Sequence, residues 1–279
     1  MIVIADMGST KTDWSFAEGS TVIKNIETRG FNPYFYSTEQ IINLLREDFK
    51  GQDLSGVDHL YFYGAGCSNE EKCKTVEDAI QVHFPNSVIE VDHDLLASAR
   101  ALCGNTPGIA CILGTGSNTC MYDGTYVIAN NPSLGFLLGD EGSGSHMGKE
   151  LIKCYFYNEL PKEISQKLER TYDISKEMLL DDIYAHDSPN SFLASFAKFL
   201  IDNRENNVIK QIIVDSFDEF FRRHIHKYDS YQKIPVNFIG SIAYYFKDIL
   251  QEVSKKHGAT IGLVVKTPIG KLIDFHTQG

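Results

Sequence analysis

Two small-residue turns, a pair of aspartates and one acidic glycine loop hold the chemistry this sequence offers. Asp6 closes an apolar run at residues 2–5, and Gly8, Ser9, Thr10 and Lys11 follow before a second apolar stretch at 14–16. A strand–turn–strand of that composition presents backbone N–H groups, two hydroxyls and one ammonium to an anion, with Gly8 allowing close approach. A phosphate suits it, and Asp6 at the strand end suits a hydrated Mg²⁺ beside that phosphate. The same residues also make an ordinary turn. Recurrence favours the phosphate reading. From Gly8 to Gly116, 108 positions on, an apolar run at 109–113 again precedes small polar residues, Gly114, Thr115, Gly116, Ser117 and Asn118, and an apolar stretch at 120–122.

Asp92 and Asp94 end a short predicted strand at 88–91 and open a predicted helix running to Leu102. A carboxylate there can take a proton from a substrate hydroxyl during phosphoryl transfer; it can equally cap the helix. Spacing leaves open which of the two reacts and which caps, with Asp94 the preferred base. In Gly139-Asp140-Glu141-Gly142-Ser143-Gly144, ahead of a long predicted helix, bare N–H groups suit an anion or hydroxyl-rich ligand, and Asp140 and Glu141 suit sugar hydroxyls. The alternative is a capped helix start. The histidines show no metal-ligand spacing, and neither GxxxxGK[ST] nor GxGxxG occurs.

These groups need a frame. Strands are predicted at 2–5, 14–16, 21–24, 57–63 and 88–91, with helices at 38–49, where Thr38 is the predicted cap, and 69–83. After a Gly- and Pro-containing loop at 104–108 the meander repeats at 109–113, 120–122 and 126–129. Helices then dominate at 141–158, 161–171, 175–184, 191–203, 206–228 and 241–256, with strands at 236–239 and 261–265. Strands alternating with helices after a meander imply α/β architecture with mixed sheets. A long-period repeat implies two related domains, 1–106 and 107–279, the last segment packing back on the first.

The chain has 279 residues, 43% hydrophobic and 23% charged, with a formal net charge of −11. That is ordinary globular composition, and it lacks the basic face nucleic acid requires. Six cysteines without a CxxC pair suit reduced thiols. No apolar run approaches the roughly 20 residues of a spanning helix, and the first strand begins without a leading signal segment, so no membrane partner and a cytoplasmic location are expected.

Asp6-x-Gly8-Ser9-Thr10-Lys11-Thr12, Gly114-Thr115-Gly116-Ser117 and Gly240-Ser241-Ile242-Ala243 resemble the two phosphate motifs and the adenosine motif of the actin-like ATPase superfamily. Leu137-Leu138-Gly139-Asp140-Glu141-Gly142-Ser143-Gly144 resembles the branch of N-acetylglucosamine kinases and BadF/BadG/BcrA/BcrD-type ATPases. The resemblance implies two ribonuclease H-like domains with an inter-domain cleft. It implies ATP and Mg²⁺ as cofactors and ATP-dependent phosphorylation of an amino sugar, foremost N-acetylglucosamine at its 6-hydroxyl. Asp94 would be the general base and Asp6 the metal-side carboxylate. Gly8, Ser9, Thr10, Lys11, Gly114, Thr115, Gly116, Gly240 and Ser241 would hold ATP. Asn32, Ser117, Asn118, Ser133, Gly135 and Asp140 would hold the sugar. A homodimer is the expected assembly.

The animal N-acetylglucosamine kinases carry Gly-Trp-Gly where this chain has Ser133-Leu134-Gly135. Loss of that aromatic reshapes the sugar pocket and leaves glucosamine, N-acetylglucosamine and N-acetylmuramate open. Two other readings stand beside the kinase: an ATPase activating a partner enzyme, and a nucleotide- or sugar-sensing module. The activators carry a cluster-ligating cysteine in a segment that has none here.

Overall fold

The computed structural model describes residues 1–8, 11–184 and 188–277. The chain divides into two compact units: 1–105 with 124–126 and 267–279, and 106–123 with 127–266.

The first unit is a five-stranded mixed sheet between helices. Its strands are β1 (Ile2–Met7), β2 (Lys11–Glu18), β3 (Thr21–Arg29), β4 (His59–Gly64) and β5 (Val88–His93), in the order β3-β2-β1-β4-β5. The first three form an antiparallel meander, and β4 and β5 join β1 in parallel. Pairing of β2 with β3 continues from Glu18 back to Lys11, opposite Arg29, which is why β3 outruns its short apolar signal. One face buries Val3, Ala5, Met7, Trp14, Phe16 and Phe62 under α1 (Thr38–Asp48) and α2 (Glu70–Gln81). Trp14 sits at its centre, within ring contact of Phe49, Phe62 and Phe84, and its indole N–H donates to Thr28 Oγ1 at 2.9 Å, so its polar atom is not buried unpaired. The opposite face packs Ile4 and Tyr63 on Ala97 and Ala101 of α3 (Asp94–Cys103). Ser37, not the predicted Thr38, caps α1, in a reciprocal pair with Gln40.

The second unit repeats the plan. Strands β6 (Gly108–Leu113), β7 (Ser117–Tyr122), β8 (Val127–Asn131), β9 (Val236–Ile239) and β10 (Ile261–Val265) are ordered β8-β7-β6-β9-β10, the first unit's order with β6 in the place of β1. Between β8 and β9 lie α4 (Gly135–Leu138), α5 (Gly144–Phe156), α6 (Lys162–Thr171), α7 (Lys176–Tyr184), α8 (Pro189–Ser195), α9 (Ala197–Asp202) and α10 (Asn207–Arg223), then a 3-10 turn at Ile225–Lys227. The helix expected at 191–203 is two, broken at the buried Phe196. The one expected at 241–256 divides at the buried Phe246 into α11 (Ser241–Tyr245) and α12 (Lys247–Lys256). The tail forms α13 (Ile269–Thr277), which packs on α3 and β1 of the first unit. Among the described residues no helix is long and apolar enough to cross a membrane, and the cysteines are free thiols.

Helix α5 carries the loop of interest at its start, and α8 presses on it. A Cβ on Gly148 would lie 1.9 Å from the Leu193 carbonyl oxygen, so only glycine permits this approach. Gly148→Ala is expected to lower unfolding free energy by about 1–3 kcal/mol in urea titration. Gly270→Ala, whose Cβ would meet nothing within 4 Å, should be neutral or stabilising by up to about 1 kcal/mol. Equal stability of the two variants would mean that α5 and α8 can separate at little cost.

Candidate active site

In the first unit, three parallel strands end on one acidic cluster. Register sets Asp6 of β1 level with Tyr63 of β4 and Asp92 of β5. Alternation puts Asp6 on the face of Ile4, which packs against α3, whose first residue is Asp94. The cap of α3 is neither aspartate: His93 Nδ1 accepts the Leu96 N–H at 3.1 Å. Asp94 is thus the first helical residue and not the cap, its carboxyl meeting its own N–H and that of Leu95. Burial holds its carboxyl above the ordinary range, with His93 and the helix-start N–H groups pulling the other way. Asp6 is pushed up to about 7, first by burial, then by the charges of Asp94 and Asp13, with Lys11 a weaker opposing influence. Among the described residues no group of three or more His, Cys, Asp or Glu could hold a metal ion, so a divalent cation here would rest on Asp6 together with water and phosphate oxygens.

The turn after β1 is closed by the Gly8 N–H donating to the Lys11 carbonyl at 3.0 Å. Lys11 starts β2 rather than lying in the turn, and its ammonium is held by Asp13 at 3.0 Å and Glu27 at 2.8 Å. Ser9 and Thr10 lie outside the described residues. Asn32 reaches over the loop that follows β4, where Gly66, at φ +90°, leaves space that a Cβ would fill 2.7 Å from Asn32 Oδ1. That oxygen accepts the Tyr34 N–H at 2.9 Å.

In the second unit the structure gathers Gly114, Thr115, Gly116, Ser117, Ser133, Asp140 and Gly240. Asp140 Oδ1 accepts from Ser133 Oγ at 2.9 Å and from the Ser117 N–H at 3.2 Å. A Cβ on Gly116 would stand 3.0 Å from Asp140 Oδ2. Among the described residues Oδ2 takes no hydrogen bond, and the buried Ser117 Oγ has no partner. One acceptor and one hydroxyl thus remain for a ligand's hydroxyl groups. Gly135, at φ +69°, donates its N–H to Ser133 Oγ at 3.4 Å. Gly240, at φ +121°, lies so close that a Cβ would stand 2.2 Å from the Leu113 carbonyl oxygen and 3.1 Å from Gly114 N, which brings Ser241 beside the same turn. Asn118 does not join them: it follows Ser117 on β7 and points to the other face, its Oδ1 accepting from Asn130 and the Thr119 N–H.

Two sequence expectations fail at the start of α5. Its first N–H groups are not bare: Gly144 donates to the Gly114 carbonyl at 2.8 Å, Ser145 to the Thr115 carbonyl at 3.0 Å, and His146 to Ser143 Oγ at 3.2 Å. The helix start braces the phosphate-type turn instead of receiving an anion. Nor is Glu141 open to a sugar: buried, it meets His224 Nε2 at 3.0 Å and Arg223 Nε at 3.5 Å. Burial works against its charge, yet its own backbone N–H and His224 hold the carboxyl below its usual value. Gly142 donates its N–H to Ser216 Oγ at 3.2 Å, and Ser216 meets His146 Nδ1 at 2.8 Å. Ser216 and His224 carried no motif. Their only sequence signal is spacing: Ser216, Phe220 and His224 recur every four residues, one helical stripe.

No family model and no curated protein matches the chain. Among solved structures, a protein from Porphyromonas gingivalis provisionally named an N-acetylglucosamine kinase is 37% identical over 100% of this chain and 99% of its own, with a TM-score of 0.95. A second protein so named, from Chromobacterium violaceum, is 16% identical over 98% of both chains, with a TM-score of 0.65. The ethanolamine utilization protein EutJ from Carboxydothermus hydrogenoformans is 15% identical over 99% of this chain and 89% of its own, with a TM-score of 0.56. The last two share the fold alone; the first shares sequence along the whole length, and with it the chain belongs to the N-acetylglucosamine kinase-like, BadF/BadG-type family of the actin-like ATPase superfamily.

Proposed function

We propose that the protein is an ATP-dependent amino-sugar kinase that transfers the γ-phosphoryl group to the 6-hydroxyl of N-acetylglucosamine. The observation that carries this reading is the cap of α3: His93 takes the Leu96 N–H, so the partly buried Asp94 carboxyl meets only its own N–H and that of Leu95 and keeps acceptor capacity to serve as a base. The name borne by the Porphyromonas gingivalis relative supports the same class of reaction.

In this reading Asp94 accepts the proton of the sugar hydroxyl as its oxygen attacks the γ-phosphorus and the bond to the β-γ bridging oxygen breaks, in line. Asp140 Oδ2 and Ser117 Oγ, with Ser133, Gly135 and Asn32, orient the sugar. The turns at Gly8, Ser9, Thr10 and Lys11 and at Gly114, Thr115 and Gly116 contact phosphates. Lys11 does so through its backbone, since Asp13 and Glu27 engage its ammonium. Gly240 and Ser241 border the adenosine. Mg²⁺ beside Asp6 would neutralise phosphate charge.

ADP release with Mg-ATP, measured against a panel of hexoses and amino sugars, is expected to depend on one amino sugar. Asp94→Asn should lower turnover about 10²–10⁴-fold. Sugar-independent ADP release, or an undiminished Asp94→Asn, would overturn the assignment in favour of an ATPase that serves a partner, or a sensor.

Asp6 gives a second test through its proton. Its folded-state pKa of about 7 lies above the ordinary 3.8, so the folded protein keeps a proton that the unfolded chain has released. That contribution to stability is present at low pH and is lost as pH rises through about 7. Without divalent cations, Asp6→Asn should therefore have a higher Tm than the parent protein at about pH 8, and a smaller difference at about pH 5. Mg²⁺ should raise the parent's Tm more than the variant's. An equal Mg²⁺ effect on both would remove Asp6 from the metal site.

A further inference from the structure

Asp140 holds an uncommon backbone conformation for a residue with a side chain, φ +57°. Such a conformation persists only where neighbours over-determine it. Ser133 and Ser117 hold the Asp140 carboxylate, and the two residues that follow it are held by one stripe of α10 and its cap. Ser216 takes the Gly142 N–H, and the Phe220 side chain lies 2.9 Å from where a Gly142 Cβ would be. One turn further on, His224 binds Glu141, the residue next to Asp140. The tautomer of His224 is set in turn. Asn131 Nδ2 donates to the Arg223 carbonyl at 2.8 Å and faces His224 Nδ1 at 3.1 Å, so Nδ1 accepts and the proton sits on Nε2, facing Glu141. Asn131 is anchored by its own N–H donating to Tyr228 Oη at 3.1 Å.

A buried acid–imidazole pair is a weak source of stability, since apolar residues of similar volume often serve as well. Its value lies in fixing one geometry. We propose that His224 is a positioning residue for sugar binding: through Glu141 it holds Asp140 in its left-handed conformation, with Oδ2 beside Gly116 and Ser117, and Asn131 orients His224 for that task. This rests on the amino-sugar kinase reading, since it is the sugar that Asp140 would hold.

The test uses the full chain and N-acetylglucosamine as probe, with three readouts: its Kd by calorimetry without ATP, KM for each substrate, and Tm. His224→Phe removes the N–H and keeps a ring. It should weaken N-acetylglucosamine binding about 10–100-fold, the scale of an outer-shell partner behind a ligand-holding group, with KM for ATP unchanged within about twofold. His224→Gln, which offers an amide N–H at similar reach, should recover most of that affinity. The double variant Glu141→Leu with His224→Phe removes the buried carboxylate that His224→Phe leaves to Arg223 alone and should recover Tm but not sugar affinity. Recovery of affinity together with Tm in the double variant would make the pair a stability element and overturn the proposal. Unchanged affinity in His224→Phe would overturn it as well, leaving the kinase reading intact. A parent protein that binds no N-acetylglucosamine would overturn the sugar assignment itself, and this inference with it.

Discussion

Burial of two carboxyls, Asp6 at the end of β1 and Asp94 at the start of α3, is the constraint on which the first unit's site depends. Both carboxyls are held above the ordinary range, mainly by burial. A fold selected for stability alone would pair them, and the means are at hand: Lys11 lies near Asp6, yet Asp13 and Glu27 hold its ammonium. Parallel strands β1, β4 and β5 all deliver their C-terminal ends to one edge, and in the kinase reading that edge would meet the ligand, which gives the buried acids a use. His93 completes the arrangement. By capping α3 it takes the Leu96 N–H, and the Asp94 carboxyl meets only its own N–H and that of Leu95.

The second unit has the same strand order and meets a different demand. Counted from the strand ends, Met7 and Leu113, the position of Asp6 is occupied by Ile112 and that of Gly8 by Gly114, whose carbonyl takes the first N–H of α5. That bond and its neighbour from Ser145 to Thr115 convert the start of α5 into a buttress for the turn. The acidic loop ahead of the helix is held from below by the α10 stripe. What the loop offers outward is therefore reduced to Asp140 Oδ2, in company with the unpartnered Ser117 Oγ. A pocket with few open polar groups, each fixed by neighbours, favours hydroxyl geometry over charge.

Much of this was legible in the sequence because it is local. The two hairpins, the repeat between them and the Gly240-Ser241 turn depend on residues adjacent in the chain, and the strands appeared where apolar runs met small polar turns. Capping was legible in kind but not in detail. Thr38 was the expected cap and Ser37 is the actual one; Asp92 and Asp94 drew attention away from His93, a residue seldom favoured at that position. Glu141 departs from its sequence expectation for a different reason: its partner stands 83 residues away. No local rule reports a contact of that span, and a carboxylate beside a sugar-type motif looks available until the fold buries it. Asn118 shows the limit of spacing within a motif. It neighbours Ser117 in sequence, and for that reason alone a strand turns it to the opposite face.

In the amino-sugar kinase reading an acidic chain also has to meet a polyphosphate. With a formal charge of −11, long-range steering works against an anion, so attraction would have to come from short-range groups. In that reading the second unit would supply glycine turns, which carry N–H groups and no side-chain charge, and the acids of the first unit would need a divalent cation between them and the phosphates. The two turns open alike, the Gly8 N–H donating to the Lys11 carbonyl and the Gly114 N–H to the Gly116 carbonyl. Two residues ahead of Gly8 and Gly114 stand Asp6 and Ile112, so the same strand order carries an acid at one strand end and an apolar residue at the other.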